Sequence, residues 1–516
     1  MVLGEAHGDP IYRVKEIPIF STSPTNTTAR AYALNNACEV VGECTDVHNS
    51  VNALHGFLWV PVTNYGITGQ TIKDLNDYLA SGDQTKETTA RDINSSGQIA
   101  GRVGASLNGD AYIWQPGQST TAVNLTSGST DTIIANAVNE SGVAVGQMWF
   151  GDHPHCTRDY VVAFSATWTS GGTPTVTHLP PTTLLEADAQ DINGESTPKT
   201  VGSETPFVNG CVLIDTFCGS LQEGAQWPGT SSPTVMDPFD QDDDTEDFAQ
   251  GNNDEGNVAG YSYEEIGSPP NDDCLRRAVF RESASTQSED IVDLHSDADP
   301  GLDEDDESLA EAVNEPLETE TTCLQVVGQN ITDSRALLWQ RDDMGDWTVT
   351  DLNDLIWTGC GSSPLHTMRE ALDINDDGEI AGIVDVDPGT PVVLRAALLV
   401  SVADITTDGQ VDGADSGQLL LQWGNPGCGG STPCASDFNC DGKVDGADQG
   451  ILLLAWGNPV RPVCSGGESF GGGGGSNAEA IETILSAEFQ MLLAAMIAEG
   501  GVEEANDMIV NLMEGE

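Results

Sequence analysis

The stretch RDINSSGQIAG, residues 91–101, decides how this chain folds. It holds an Asn, a Gly-containing turn, two apolar residues and a closing Gly. Asn and Gly tolerate positive φ, which tight hairpins demand. The flanking apolar alternation fits half-buried strands. The phrase recurs as ALNNACEVVG ending at Gly42, NAVNESGVAVG at Gly146, QDINGESTPKTVG at Gly202, QGNNDEGNVAG at Gly260, EAVNEPLETETTCLQVVG at Gly328 and ALDINDDGEIAG at Gly382. The leading residues are Asn35, Asn94, Asn139, Asn193, Asn253, Asn314 and Asn375, spaced 45 to 61 residues apart.

Most copies carry two more parts. One is an aromatic strand: HGFLWVP around Trp59, DAYIWQP around Trp114, VAFSATW ending at Trp168, GAQWPG around Trp227, RAVFRE around Phe280 and RALLWQ around Trp339. The other is a short closing strand: TIKDLN, TAVNLT, TVTHLP, TVMDPF, IVDLHS and TVTDLN. About four short strands per ~40–60 residues suit a propeller blade, so seven units predict seven blades. The last unit lacks a closing strand, while YRVKEIPIF, residues 12–20, precedes the first unit. That segment is expected to complete the seventh blade. The aromatic strands read as blade core rather than as sugar platforms.

The phrases around Asn94, Asn375 and HGFLW resemble the extracellular HAF repeat family, whose pattern is an Ala-x-Asp-Ile-Asn turn, a Gly and a His-Ala-Phe-Leu-Trp strand. The resemblance covers residues 20–400 and implies secretion and a β-propeller-like build. The expected fold is mainly β: a seven-bladed β-propeller-like domain over 1–400, a small α-helical calcium module over 401–464, a Gly/Ser-rich linker over 465–477 and a short helical tail over 478–516.

The calcium module rests on a duplicated acidic sentence. DITTDGQVDGADSGQLLLQWGN begins at Asp404, and DFNCDGKVDGADQGILLLAWGN begins 33 residues later at Asp437. Calcium is a hard cation that takes six to eight oxygens, and a twelve-position loop can wrap one ion. In the second copy Asp437, Asn439, Asp441, Lys443 (through its carbonyl), Asp445 and Asp448 hold the ligand positions, with Gly442 at the sharp turn. In the first they are Asp404, Thr406, Asp408, Gln410 (through its carbonyl), Asp412 and Asp415. Thr406 offers only a hydroxyl, so the first site is expected to be the weaker. An amphipathic helix follows each loop.

These loop–helix repeats resemble a type I dockerin, a calcium-folded module of two such units. The resemblance implies two Ca2+ ions and docking onto a cohesin-like partner, often in polysaccharide-degrading assemblies. The docking positions, where the family favours a Ser-Thr pair, are Gly413-Ala414 and Gly446-Ala447 here, and Leu421 and Leu454 stand where a basic residue is usual. DINDDG, residues 373–378, mimics half a calcium loop but coincides with the repeated Asn turn.

Charge excludes several partners. Asp and Glu number 82 against 18 Lys and Arg, a formal net charge of −64. Nucleic acid and anionic lipid need basic residues, so neither is expected. No run reaches the ~18 apolar residues of a membrane span. Twelve cysteines, several in close pairs such as Cys38/Cys44 and Cys211/Cys218, favour disulfides and an oxidising compartment. No apolar signal segment is visible at the N-terminus, so an extracellular or cell-surface location is inferred from the remaining features.

Catalytic signals are weak. GESFG, residues 467–471, sits in a Gly-rich linker without the strand and helix of a nucleophile elbow. HPHC, residues 153–156, lacks a fourth metal ligand. The acidic runs at 240–247 and 303–308 read as solvated loops. The expected function is a secreted non-catalytic binding or scaffold protein with a polysaccharide or cell-surface ligand. The alternative is a dockerin-bearing glycoside hydrolase or lyase.

Overall fold

A computed structural model describes residues 12–456, less 21–27, 49–50, 105–108, 119–121, 127–131, 151–159, 169–172, 180–184, 195–197, 209–210, 213–222, 229–233, 236–246, 267–272, 283–290, 297, 299–301, 304, 316–323, 343–344, 358–365, 387–392, 425–433 and 439–442. The linker at 465–477, the tail at 478–516, HPHC, GESFG, Asn439 and Asp441 therefore lie outside the described residues. The chain forms two compact units, Glu16–Asn353 with His366–Leu398, and Met1–Lys15 with Asp354–Leu365 and Leu399–Glu516.

Seven sheets make the blades of a β-propeller. A single strand, β1 (Tyr12–Glu16), precedes them. The first blade is β2 (Ala29–Leu34), β3 (Val40–His48), β4 (Val51–Val60) and β5 (Thr71–Asp74). The second is β6 (Thr88–Ile93), β7 (Ile99–Val103), β8 (Asp110–Trp114) and β9 (Ala122–Asn124). The third is β10 (Thr132–Val138), β11 (Val143–Phe150), β12 (Tyr160–Thr167) and β13 (Thr175–His178). The fourth is β14 (Leu185–Ile192), β15 (Lys199–Val208), β17 (Glu223–Pro228) and β18 (Thr234–Val235), with β16 (Cys211–Val212) paired to β15. The fifth is β19 (Asp247–Asn252), β20 (Val258–Ile266), β21 (Asp273–Arg281) and β22 (Ile291–Asp293). The sixth is β23 (Ser308–Val313), β24 (Gln325–Asn330), β25 (Arg335–Arg341) and β26 (Trp347–Asp351). The seventh runs β1–β29–β28–β27, from β27 (Thr367–Ile374), β28 (Ile380–Asp385) and β29 (Leu394–Ser401). The expected closing strand from the N-terminus is thus present, and Ile17 N–H donates to Ala396 O at 2.9 Å.

The core lies between blades rather than inside any one of them. Ala33, Val41 and Leu58 of the first blade pack with Ile99 and Trp114 of the second. Ala259 and Phe280 of the fifth pack with Val326 and Trp339 of the sixth. A lone blade therefore cannot bury its faces, and stacking supplies the stability. Trp59, Trp114, Trp227, Trp339 and Phe280 are fully buried, as the core reading expects. In the third blade Phe164 takes that role, and Trp168 packs only partly buried against the cluster.

The Gly ending each repeat has a packing cause. All seven first strands bulge at one place, between Ala31/Ala33, Ala90/Asp92, Ala135/Ala137, Ala189/Asp191, Ala249/Gly251, Ala310/Ala312 and Ala371/Asp373. The facing glycine then lies against the neighbouring strand's backbone. A Cβ on Gly101 would stand 2.0 Å from Thr89 O, and one on Gly42 1.9 Å from Arg30 O. Gly146, Gly202, Gly260, Gly328 and Gly382 meet equivalent oxygens. No side chain fits there.

The repeated Asn has a second role besides its turn. Asn94 Oδ1 accepts from Ser96 N–H and Gln98 N–H, holding its own hairpin. Its Nδ2 donates to the backbone oxygen of Asn139 in the next blade at 2.8 Å. Asn35 reaches Asn94, Asn139 reaches Asn193, Asn193 reaches Asn253, Asn253 reaches Asn314 and Asn375 reaches Asn35 in the same way. Between the sixth and seventh blades the described link is Glu315 N–H to Asp376 Oδ1 instead. Asp373 and Asp376 of DINDDG belong to this ring.

The second unit contains two helices, α2 (Gly413–Gln422) and α3 (Gly446–Leu454), which follow a short turn of helix α1 (Leu352–Leu355) in the chain. Val411, Leu419, Leu420, Phe438, Val444 and Leu452 share one small core, with Trp423 and Trp456 against it. The two repeats contribute matched residues to it.

One expectation is corrected. Cys38 and Cys44 are not joined to each other: Cys38 Sγ donates to Glu379 Oε2 and Cys44 Sγ to Thr45 O. Cys38 precedes β3 and Cys44 lies along it, and ~3.3 Å per strand residue separates them beyond the ~7 Å Cα limit of a disulfide. Cys218, Cys428, Cys440 and Cys464 lie outside the described residues.

Candidate functional site

The first acidic loop wraps around the carboxylate of Asp404, which is buried. Its Oδ2 accepts from Gly409 N–H at 2.9 Å, and its Oδ1 from Asp408 N–H at 3.2 Å and the Thr406 hydroxyl at 3.3 Å. Gly409 has φ +86°, the left-handed turn that position six of the loop requires. Asp415 is fully buried and closes the loop, accepting from Thr406 N–H and Asp412 N–H, each at 2.9 Å. Asp412 caps α2 by accepting from Ala414 N–H, so Asp412 and Asp415 form a reciprocal capping box.

One ligand oxygen each from Asp404, Asp408 and Asp415 lies within 4.8 Å of the others. Burial, with the neighbouring Asp415 and Asp408 charges, pushes the Asp404 carboxyl up to about 7. Burial likewise raises Asp415. Carboxylates crowded in this way favour a cation among them. The donor set fits a hard divalent ion: three carboxylates, the Thr406 hydroxyl and the Gln410 carbonyl are all oxygen donors. Gln410 itself is exposed, and its N–H donates to Asp408 Oδ1 at 3.2 Å.

The described ends of the second loop repeat the frame. Asp437 and Asp448 are fully buried. Asp448 accepts from Phe438 N–H at 2.7 Å and Asp445 N–H at 2.9 Å, and Asp445 caps α3 through Ala447 N–H. Lys443 is exposed and Val444 is buried beneath the loop. Even the approaches match: Asp404 N–H donates to Ser401 O, and Asp437 N–H to Cys434 O, three residues back in each copy. Ala414, Ala447 and Leu421 are exposed, Leu421 to 80%.

Arg13 was not among the residues the sequence singled out. Its guanidinium is sequestered beside the loops, donating to Val402 O at 3.0 Å and Ala435 O at 2.8 Å. It lies 4.7 Å from the Trp357 ring centre. Burial lowers its pKa, and the Asp404 and Asp415 charges oppose that shift. A basic residue four hundred positions upstream carries no sequence signal for this place.

The propeller holds a second set of acids. Its seven first strands touch in a closed ring. Asp92, Asp191 and Asp373 each stand two residues before a ring Asn. Each Oδ1 accepts from the next residue's N–H. Each Oδ2 accepts from an N–H of the following blade: Val138, Asn252 and Leu34. Burial raises all three, with mutual repulsion added for Asp92 and Asp373, bringing Asp92 to about 7 and Asp191 to about 6. The DIN tripeptide of three repeats is the signal that marks them. Glu311, a bulge residue, is raised to about 7 by burial and by Glu370. Beside it Phe248 stacks on Tyr261 at 4.6 Å.

Among the described residues, no helix is long and apolar enough to cross a membrane. No protein-family model and no curated protein matches the chain. Among solved structures it is similar to a subtype N10 neuraminidase-like protein of A/little yellow-shouldered bat/Guatemala/060/2010, at 10% identity and a TM-score of 0.30, over 73% of this chain and 99% of that one.

Proposed function

We propose that the chain is a secreted, non-catalytic binding or scaffold protein whose two acidic loop–helix units fold around two Ca2+ ions and mediate attachment. The observation that carries this reading is the convergence of Asp404, Asp408 and Asp415 oxygens within 4.8 Å in a loop whose backbone amides already orient them. The matched burial of Asp437 and Asp448 supports a second site of the same design. Bound calcium would neutralise acids that otherwise repel one another, and so stabilise both loops. The exposed Leu421 and the two Gly-Ala pairs favour a protein partner, cohesin-like or otherwise, met through an apolar rather than a hydroxyl-bearing face. The HAF-repeat resemblance supports an extracellular propeller, for which a polysaccharide or cell-surface ligand is proposed.

Titration calorimetry tests the calcium reading. Two binding events are expected, the tighter at the Asp437 loop, and chelator should lower the melting temperature of residues 401–464. No heat and no chelator effect would refute it. A second reading, an enzyme acting on polysaccharide, draws on Glu311, whose carboxyl near neutral pH suits a general acid beside Glu370. Turnover of a polysaccharide that is lost in Glu311→Gln would establish that reading in place of the first.

A further inference from the structure

The two hydrogen bonds of Arg13 fall at equivalent places in the duplicated module. Val402 stands two residues before Asp404, and Ala435 two residues before Asp437. A single nitrogen, Nη2, donates to both carbonyls, at 3.0 and 2.8 Å. The guanidinium lies over the Trp357 ring, and the backbone N–H of Trp357 donates to Tyr12 O at 2.7 Å. Thus one side chain from outside both repeats ties the start of one loop to the start of the other.

We propose that Arg13 is a positioning residue that couples the two loops, so that filling one favours filling the other. The proposal rests on the calcium reading of those loops. The physical basis is short. An ion bound at Asp404 fixes the backbone just before it, including the Val402 carbonyl. Through the guanidinium that restraint passes to Ala435, and so to the approach of Asp437. The second ion then pays less ordering entropy, which is positive coupling. The shared core of Val411, Val444, Leu419 and Leu452 holds the helices together and also packs Val402, Ala403 and Cys434, so the guanidinium is a polar tie beside an apolar one. Lysine would keep the charge near Asp404 and Asp415 yet lose the planar fork that lies over Trp357 and reaches both carbonyls.

A double-mutant cycle on the full chain tests this, with calcium as the probe. Asp437→Ala disables the second loop, and calorimetry then reads the affinity of the first. With Arg13 present, the disabled second loop should weaken the first at least fivefold, the lower end of ordinary coupling. In Arg13→Met that factor should fall to less than twofold. Arg13→Lys should behave like Arg13→Met, which separates the loss of the bridge from the loss of charge, and circular dichroism of each variant checks that α2 and α3 persist. Equal factors in all three backgrounds would overturn the proposal alone. Absence of any calcium binding in the unmodified protein would overturn the calcium reading and the proposal together.

Discussion

The side-chain amide of Asn375 donates to the backbone oxygen of Asn35 at 3.3 Å, joining residues 340 positions apart. This bond closes the ring that five others build blade by blade. Each of these six donor Asn thereby serves two blades at once, while Glu315 and Asp376 supply the link between the sixth and seventh. Asn139→Ala should cost about 2–3 kcal/mol, because buried donors and acceptors on both sides lose partners. Asn314→Ala should cost about 1 kcal/mol less, since its described Nδ2 bond is to Gln325 within its own blade. Urea unfolding of the two variants checks the order.

The repeat glycines make a sharper prediction. Gly101→Ala would place a methyl group 2.0 Å from a carbonyl oxygen. The bulged strand would have to move, and a loss of more than ~3 kcal/mol or failure to fold is expected. Gly417, inside α2, has nothing within 4 Å of its missing Cβ. Gly417→Ala should leave the protein unchanged or stabilise it by up to ~1 kcal/mol through helix propensity. Thermal melts of both variants give the contrast.

The DIN acids predict a pH dependence of unusual sign. Their folded pKa values lie above the usual carboxylate value, about 7 for Asp92 and about 6 for Asp191. Between about pH 4 and pH 7 the folded state therefore binds more protons than the unfolded state. Stability falls as pH rises through that window and levels above it. The contribution of Asp92 is on the order of 1–3 kcal/mol. Asp92→Asn should flatten the slope of melting temperature against pH between 5 and 8. An unchanged slope would show that the field of the whole acidic surface causes it instead.

Asp415 joins the loop to the helix. Its two oxygens accept from Thr406 and Asp412 in a fully buried place. Asp415→Ala should remove one of two calcium events and destabilise the module by about 1–3 kcal/mol. Asp412→Ala should cost about 1 kcal/mol, the ordinary value of a lost helix cap, and should weaken the first event less than Asp415→Ala does. Calorimetry with melting curves separates them.

The sequence by itself determined the number of blades and the place of each strand. Seven Asn/Gly phrases and their aromatic strands recur because every blade meets the same steric demand, and a repeated demand leaves a repeated pattern. The closing strand was legible for the same reason, as the part missing from one end and spare at the other. The acidic loops were legible because their acids lie within twelve consecutive residues. The tertiary structure alone decided what each repeated residue does. Gly101 looked like part of a turn, yet its constraint comes from Thr89 O on the facing strand. Asn94 looked like a hairpin residue, yet its Nδ2 also donates to Asn139 in the next blade. Arg13 looked like one residue of an edge strand, yet it bridges Val402 and Ala435. Local patterns record the backbone each residue must adopt, while partners hundreds of positions away are set by which surfaces the folded chain brings together.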